Sequence, residues 1–459
     1  MRRASINMFI FALVAGIAIT ISLLVTPMQS VSAAGQTVRV GAAAPTWSMS
    51  GPGEIDLFGQ QLPTTIDFFG PVRPKLELTR IELSPQLANL VEPGKGANAA
   101  QSLQQSLVDG WTHYFLWQVA IVAVVAVALL AAIAGWRHIS IRHTLAFIAI
   151  GLVITEAING GAIMVTAYSA PSKLREVDSF QELVGIAPTM AAPAHEQQSK
   201  KSSDRIVVVG DSTAAGIGNP PLPNADQFDK ACERSIDSFA TALDQTADWQ
   251  VTNLACSSAT VQDGLLGAQA RGDLSIEPQL PRAIAAGPKA IVISIGANDV
   301  NWSGVLQMCA VVDDCRNNAL DAYWQQQLAV FTREYLMLLV WLRSIPDPPA
   351  VVVNLYYDPF GDDNSCLEPL GITTEKVKVL KEHRDALNTV IANGATSADI
   401  TVAKPDFTGH GVCSDQPYVQ GIKAKAPMHP TAAGALAIAL ADQDALRTAL
   451  EPTPTTSPR

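Results

Sequence analysis

Residues 205–212 have the sequence RIVVVGDS, in which four branched apolar residues are followed by glycine, aspartate and serine. A short apolar run bounded by turn residues is typical of a buried strand in a parallel sheet. Similar runs recur down the chain, separated by helical patterns such as Ala319–Arg343 and Thr374–Asn393. The predicted strands are Ile206–Val209, Val251–Leu254, Ala290–Ile295, Ala350–Leu355 and Ile400–Ala403. Strands that alternate with helices predict a doubly wound α/β sheet whose site lies at the carboxyl ends of the strands.

Residues suited to catalysis follow several of these strands. Ser212 lies on the turn after the first strand, where its hydroxyl can be exposed and a helix N-terminus favours negative charge. The second strand leads into ACSSAT at 255–260, and the third ends in Gly296-Ala297-Asn298-Asp299. His429 follows the fifth strand, in the run that opens the last helix. A serine, an asparagine and a histidine are therefore predicted to converge.

The blocks GDS at 210–212, GAND at 296–299 and HPTAAG at 429–434 resemble, in this order, those of the SGNH (GDSL) hydrolase superfamily. The resemblance covers residues 204–450 and implies a flavodoxin-like sheet and a serine ester hydrolase. It makes Ser212 the nucleophile and His429 the general base. It also implies that the oxyanion is held by the backbone N–H groups of Ser212 and Ser258 and by the Asn298 amide. We expect neither a cofactor nor a metal ion.

Ser258 and His410 are two residues near these blocks whose roles need a separate interpretation. Ser258 stands where the superfamily usually has glycine, but the required group is a backbone N–H, which serine also carries. A second histidine, His410, is flanked by two glycines. We expect it to be a loop residue and not the catalytic base.

The acid of a Ser-His-Asp triad is missing from its usual place. Ala426 stands three residues before His429, where the superfamily usually has that acid. We therefore expect a Ser-His dyad in which the main-chain carbonyl of Ala426 orients the histidine. Asp406 and Asp415 are the more distant alternatives.

All six cysteines follow residue 204, and none of them forms a CxxC motif. This distribution favours three disulfides in an oxidising compartment over metal ligands. Spacing alone leaves many connectivities open, with Cys309 and Cys315 as the most natural pair. The runs ACSSAT and FTGHGVCS (407–414) are further similar to the disulfide-bearing secreted esterases of actinobacteria. That resemblance implies the pairs Cys232–Cys256, Cys309–Cys315 and Cys366–Cys413.

Hydrophobic residues make up 48% of the 459-residue chain and charged residues only 16%, which indicates membrane-embedded segments. The apolar stretches are 8–26, 115–136 and 144–168. A helix of the second stretch would be about 33 Å long, enough to span a bilayer. The first stretch is either a signal peptide, with a cleavage site near 31–34, or a retained anchor, which we favour.

Basic residues set the predicted orientation. Arg2 and Arg3 precede the first stretch, and Arg137 and Arg142 lie in the short connector between the other two. Such residues favour the cytoplasmic side, so residues 27–114 and everything after 169 are predicted to lie outside. In the third stretch, Glu156 with Asn159 on the same face is either a proton or ligand relay or a packing contact.

The predicted organisation of the chain follows from these patterns. Alternating runs between the first two stretches predict a small β-rich extracytoplasmic segment. The predicted parts are a signal anchor or signal peptide (1–34), the β-rich segment (35–114), a two-helix transmembrane hairpin (115–168), a linker (169–203), the SGNH domain (204–450) and a disordered tail (451–459).

Charge and composition narrow the function. The net charge of −11 and the lack of a basic stripe argue against a nucleic-acid partner. We expect a multi-pass cell-membrane protein whose outer domain is a serine esterase or acyl-transfer enzyme for O-acyl groups of envelope glycans or lipids. The alternatives are a lipase acting on free lipids and a non-catalytic SGNH domain that binds glycan.

Overall fold

The computed structural model describes residues 2–33, 36–45, 48, 50–69, 72–81, 97–174 and 205–451. Most of the predicted linker (169–203) and of the predicted tail (451–459) lies outside these residues. The chain divides into two compact units, one of Met1–Leu57 and Gln61–Ala191 and the other of Phe58–Gln60 and Ala192–Arg459.

The first unit contains helices α1 (Arg2–Val25), α2 (Ala97–Trp136) and α3 (Ile141–Leu174). Each includes a segment long and apolar enough to cross a membrane, namely Ile6–Val25, Gln105–Trp136 and Ile141–Thr166. The helices approach closely, with the rings of Phe11 and Phe147 4.9 Å apart. These helices confirm the three apolar segments expected from composition. The second is longer than expected, because α2 continues the apolar stretch at its N-terminal end.

A cluster of polar side chains joins the three helices. The Gln118 amide nitrogen donates to the Ser22 hydroxyl and to Asn159 Oδ1, both at 2.9 Å. Asn159 Nδ2 donates back to Gln118 Oε1 at 3.0 Å. All three side chains are buried and cannot bond to water. Their hydrogen bonds to one another supply the partners that buried polar groups need. Asn159 therefore takes part in a packing contact between the helices.

A small five-stranded sheet belongs to the same unit. Its strands are β1 (Gln29–Ala33), β2 (Gln36–Ala42), β3 (Ser50–Leu57), β4 (Gln60–Phe69) and β5 (Pro74–Ile81), in the order β1-β2-β5-β3-β4. Buried residues alternate with more exposed ones along β4 and β5, so one face of the sheet is covered. The β-rich segment is thus confirmed. Strand β1, which pairs with β2, lies where the sequence suggested a cleavage site.

The sheet packs on the N-terminal part of α2. Gly110 lies against Val31 and Val40, and a Cβ at this glycine would lie 2.6 Å from a methyl carbon of each. The next residue, Trp111, donates its indole N–H to the carbonyl of Gly41 at 2.9 Å. Glycine is therefore required for the close approach of helix and sheet.

The second unit is built on a parallel sheet in the order β12-β11-β10-β6-β7. The five strands and an intervening antiparallel pair are β6 (Arg205–Gly210), β7 (Gln250–Asn253), β8 (Gln269–Arg271), β9 (Leu274–Ile276), β10 (Ala290–Ser294), β11 (Ala350–Asn354) and β12 (Thr401–Ala403). Every predicted strand agrees with its observed counterpart to within one residue at each end. The strand order reverses between β6 and β10, which is the topological switch point of a flavodoxin-like sheet. The predicted fold class is confirmed.

Helices connect these strands and cover the sheet. They are α4 (Ser212–Ala215), α5 (Gln227–Ala231), α6 (Phe239–Thr246), α7 (Gln279–Ala285), α8 (Trp302–Val311), α9 (Asn318–Ser344), α10 (Thr374–Ser397) and α11 (Ala432–Leu450), with a 3₁₀ helix at Ser365–Leu370. The branched residues of β6 are fully buried, as expected for a strand covered on both faces. The disulfides are Cys232–Cys256, Cys309–Cys315 and Cys366–Cys413, the three pairs implied by the resemblance.

Candidate active site

Ser212 lies directly after a sharp turn at the end of β6. Gly210 has a φ of +148°, and a Cβ there would lie 2.1 Å from the Ser294 carbonyl oxygen, so glycine is required. The buried Gln279 side chain holds this glycine by accepting from its N–H at 2.7 Å and donating to its carbonyl at 3.0 Å. Helix α4 is a single turn, so its dipole is small. Ser212 is the first residue of this turn, so its N–H lies at the helix N-terminus expected from the sequence.

The serine and the histidine are brought into contact. Ser212 Oγ lies 2.9 Å from His429 Nε2. On the other side of the ring, His429 Nδ1 lies 3.2 Å from the Pro427 carbonyl oxygen. A carbonyl can only accept, so Nδ1 carries the ring hydrogen and Nε2 is free to accept the serine proton. Burial lowers the pKa of His429, although the nearby main-chain carbonyls oppose this effect, so the ring is neutral at neutral pH.

Two main-chain carbonyls act on His429. The Ala426 carbonyl, which was expected to orient the ring, accepts the backbone N–H of His429 at 3.2 Å and, like the Pro427 carbonyl, raises the pKa of the ring. The other candidate partners lie elsewhere. Asp406 is exposed and accepts from the Thr408 N–H at 2.9 Å, and Asp415 is also exposed.

The histidine loop is held by several main-chain contacts. Met428 has a φ of +67°, a conformation that non-glycine residues rarely adopt. Its N–H donates to the Gln420 carbonyl at 3.0 Å, and its own carbonyl accepts from the Tyr357 hydroxyl at 3.0 Å. The Gln420 N–H in turn donates to the His429 carbonyl at 2.7 Å. These bonds stabilise the unusual backbone that directs the imidazole toward Ser212.

The second histidine takes part in a different contact. The His410 ring stacks on Tyr418 with ring centroids 3.7 Å apart, and its Nδ1 lies 2.8 Å from the Gln416 carbonyl oxygen. His410 is thus engaged within its own loop, as the sequence analysis expected of a loop residue.

The predicted oxyanion donors border the same cavity as Ser212 and His429. Ser258 has a φ of +65°, which explains why glycine suits this position. Asn298 uses one amide hydrogen to bind the Ala259 carbonyl at 2.9 Å and retains a second. Among the described residues, no acceptor is found for the N–H of Ser212 or Ser258. The three residues that carry these donors line the cavity into which Ser212 and His429 face.

This catalytic cavity has a volume of about 230 Å³. Its walls are largely apolar, with Ile217, Trp302, Leu306, Leu387 and Met428 among the lining residues. The cationic side chain in its wall is that of Arg384. In the part of the chain that the structure describes, no group of three or more His, Cys, Asp or Glu side chains could hold a metal ion.

Tyr356 is a site residue that the sequence analysis missed. Its hydroxyl accepts from the Ala297 N–H at 2.8 Å and donates to Asp211 Oδ2 at 2.7 Å. Burial raises the pKa of Asp211 to about 6 and that of Tyr356 well above its usual value, so the tyrosine stays protonated. The available signal was the run NLYYDP (354–359), which places Tyr356 at the carboxyl end of the fourth strand.

Comparison with known proteins supports the motif-based resemblance. The profile of the GDSL-like Lipase/Acylhydrolase family matches residues 208–437, half of the chain. Comparison with curated proteins returned no match.

Solved structures similar to this chain include enzymes from two Streptomyces species. An extracellular lipase from Streptomyces rimosus is 21% identical with a TM-score of 0.43, over 53% of this chain and 100% of that one. Phospholipase A1 from Streptomyces albidoflavus NA297 is 21% identical with a TM-score of 0.42, over 54% of this chain and 100% of that one. A family two carbohydrate esterase from Cellvibrio japonicus is 15% identical with a TM-score of 0.32, over 55% of this chain and 63% of that one.

The family match includes both the serine that follows β6 and the histidine that lies against it. The chain therefore belongs to the GDSL-like lipase/acylhydrolase family and is a serine ester hydrolase.

Proposed function

We propose that Ser212 and His429 form the catalytic dyad of an enzyme that cleaves O-acyl esters of envelope glycans or lipids. The contact of 2.9 Å between Ser212 Oγ and His429 Nε2 is the observation that carries this proposal. It pairs a nucleophile with a base whose neutral form is favoured by burial. The acyl group would lie in the catalytic cavity.

In the first half of the reaction, Ser212 Oγ attacks the ester carbonyl carbon and its proton passes to His429 Nε2. The oxyanion accepts hydrogen bonds from the N–H groups of Ser212 and Ser258 and from Asn298 Nδ2. Donors of this kind are each worth about 10² to 10³ in rate. The bond from carbonyl carbon to alcohol oxygen then breaks, and the alcohol leaves with the proton held by His429.

In the second half, the acyl group passes from Ser212 to an acceptor hydroxyl. His429 takes the proton of that hydroxyl as its oxygen attacks the acyl-enzyme, and then returns the proton to Ser212 Oγ as the acyl–serine bond breaks. Water as acceptor gives hydrolysis, and a sugar hydroxyl gives acyl transfer.

We infer that the enzyme is tethered to the cell membrane with its C-terminal domain outside. Three helices of spanning length, basic residues in the short connector at 137–143 and the paired cysteines of the second unit support this inference. A reporter active only outside the cytoplasm should work when fused after residue 200 and fail when fused at residue 140. The reverse pattern would contradict the orientation.

A fluorophosphonate probe tests the nucleophile directly. The purified wild-type chain should be labelled, Ser212→Ala should not be, and His429→Ala should react far more slowly. Ser303→Ala is a matched control, because Ser303 lines the same cavity while the serine hydroxyl that lies against His429 Nε2 is that of Ser212. Labelling that persists in Ser212→Ala would exclude Ser212. Wild-type protein that neither reacts nor turns over any ester would favour the glycan-binding alternative.

Kinetics distinguish the dyad from a triad. The double variant of Ser212 and His429 should be scarcely slower than either alanine variant, because the two act as a unit. Asp406→Asn and Asp415→Asn should lower kcat far less than the ~10⁴-fold by which kcat falls when a triad aspartate is neutralised. A loss of that size in either variant would show that a carboxylate orients His429.

A further inference from the structure

A second cavity, of about 270 Å³, adjoins the catalytic cavity. Tyr356, Tyr357 and Arg384 line both. The two cavities therefore share part of their walls. The second cavity is thus close enough to be considered as a binding site for part of a substrate held at Ser212.

The two cavities differ in chemistry. The side chains that line the second cavity but not the first are mainly charged or polar, including Asp358, Asp362, Asp385, Asn388, Lys404 and Asp406. An alkyl chain entering there would remove these groups from water without replacing their hydrogen bonds, which is unfavourable. The acyl chain of a substrate is consequently better accommodated in the catalytic cavity.

Arg384 marks the boundary between the cavities, and carboxylates hold it in place. Its Nη1 lies 2.7 Å from Asp358 Oδ1, and its Nη2 lies 2.7 Å from Asp385 Oδ1. Lys381 Nζ also lies 2.9 Å from Asp358 Oδ2. The positive charge of Arg384 is thus balanced, while its five N–H groups exceed the number bound to these carboxylates. The guanidinium can still donate to a neutral acceptor.

The balance of charge disfavours an anionic ligand. Four carboxylates (Asp358, Asp362, Asp385 and Asp406) line the second cavity, against the cations Arg384 and Lys404 in its wall and Lys381, which pairs with Asp358. A phosphate or carboxylate would face net repulsion there. A neutral molecule with several hydroxyl groups can donate to the carboxylates and accept from Arg384, Lys404 and the Asn388 amide. Sugars have this chemistry.

We propose that the second cavity is the alcohol subsite and binds a neutral sugar whose ester carbonyl lies at Ser212. This inference rests on the proposed function and assigns glycan esters, in preference to lipid esters, as the substrate class. Lys404 and Asp385 are specificity-determining residues because they contact the sugar and lie outside the catalytic cavity.

Kinetics on two substrates with the same acyl group test the subsite. The full chain in detergent is assayed with an acetylated methyl glucoside and with 4-nitrophenyl acetate. In Lys404→Met and Asp385→Asn, the ratio of kcat/KM for the sugar ester to kcat/KM for the nitrophenyl ester should fall by about tenfold, chiefly through KM. Lys423→Met, an exposed lysine outside both cavities, is the matched control and should keep the wild-type ratio.

An unchanged ratio in both subsite variants would overturn the subsite while leaving the proposed esterase intact. The subsite would also be overturned if the enzyme hydrolysed diacylglycerol in mixed micelles faster than the sugar ester, because the preferred substrate would then be a lipid.

Binding to inactive protein separates this inference from the proposed function. Calorimetric titration of Ser212→Ala with the acetylated methyl glucoside should detect binding that is lost or at least about tenfold weaker when Lys404→Met is added. Equal binding by the two proteins would contradict the subsite whatever the enzyme's activity.

Discussion

The Tyr356 hydroxyl donates a hydrogen bond to Oδ2 of Asp211, with an O···O distance of 2.7 Å. The same hydroxyl accepts the N–H of Ala297. Asp211 precedes the proposed nucleophile, and Ala297 precedes the proposed oxyanion donor Asn298. One buried hydroxyl therefore fixes the position of two strand ends relative to each other.

Removing this hydroxyl should impair catalysis more than binding. Tyr356→Phe leaves the Ala297 N–H and the Asp211 carboxylate without this partner, so the Asn298 loop can move away from Ser212. We expect kcat for 4-nitrophenyl acetate to fall about 10- to 100-fold with little change in KM, because only transition-state contacts are weakened. Tyr418→Phe, which removes a hydroxyl outside both cavities, should keep wild-type kcat. A wild-type kcat in Tyr356→Phe would refute the positioning role.

Ser258 allows a test of the proposed main-chain donor. Ser258→Gly keeps the N–H and relieves the positive φ, so activity should be retained and the melting temperature should stay the same or rise slightly. Ser258→Val keeps the N–H but is β-branched, which disfavours this conformation and should lower the melting temperature. Thermal unfolding and steady-state kinetics of both variants check the prediction. A large loss of activity in Ser258→Gly would instead assign a role to the serine side chain.

The pH profile should report His429. Only the neutral imidazole can accept the serine proton, so kcat/KM falls as the pH drops below the pKa of His429, which burial lowers. The negative charge of Glu233 opposes that lowering. Glu233→Gln should therefore shift the acid limb of the profile to lower pH. Glu277→Gln, which removes a well-exposed carboxylate, is the control and should leave the limb in place. A shift to higher pH in Glu233→Gln would show that His429 does not control the limb.

Asp442 should make stability depend on pH. It is fully buried on α11, its Oδ2 lies 3.4 Å from Asn354 Nδ2, and burial raises its pKa well above the usual value. The folded state therefore holds this proton at pH values where the unfolded chain, with a pKa of about 3.9, has lost it. Stability contributed by the proton falls as pH rises through this window.

The isosteric variant Asp442→Asn cannot titrate. The difference in melting temperature between this variant and the wild type should therefore become more positive from pH 5 to pH 8. Asp444→Asn, an exposed position on the same helix, should show no such trend. A difference that is constant with pH in Asp442→Asn would mean that Asp442 is ionised in the folded protein.

The sequence predicted the parts of the fold that depend on local pattern. The buried parallel strands were located because a branched apolar run bounded by turn residues is seldom compatible with a structure other than a buried strand. The convergence of Ser212, Asn298 and His429 on one cavity was predicted because each follows such a strand. Tyr356 was missed because its role arises from contacts with Asp211 and Ala297, which are distant in sequence and belong to no local pattern.

Other features depend on tertiary contacts and leave little trace in the sequence. The carbonyl within hydrogen-bond distance of His429 Nδ1 is that of Pro427, and its position depends on the fold of the histidine loop, in which Met428 has a positive φ. Strand β1 was not expected, because its five residues gain their partners only by pairing with β2. The N-terminal part of α2 also contacts the small sheet through Gly110 and Trp111, and these contacts leave no mark in the hydrophobic pattern.

Helix α2 carries both a segment of membrane-spanning length and the residues on which β1 and β2 rest. Its 40 residues form one rod of about 60 Å, twice the thickness of a bilayer's hydrocarbon layer. A hinge between the apolar helices and the small sheet would have to break this rod or separate Gly110 from Val31 and Val40. The sheet and the spanning segment are therefore expected to move as one body. When α2 tilts or rotates about its axis, the sheet tilts or rotates with it.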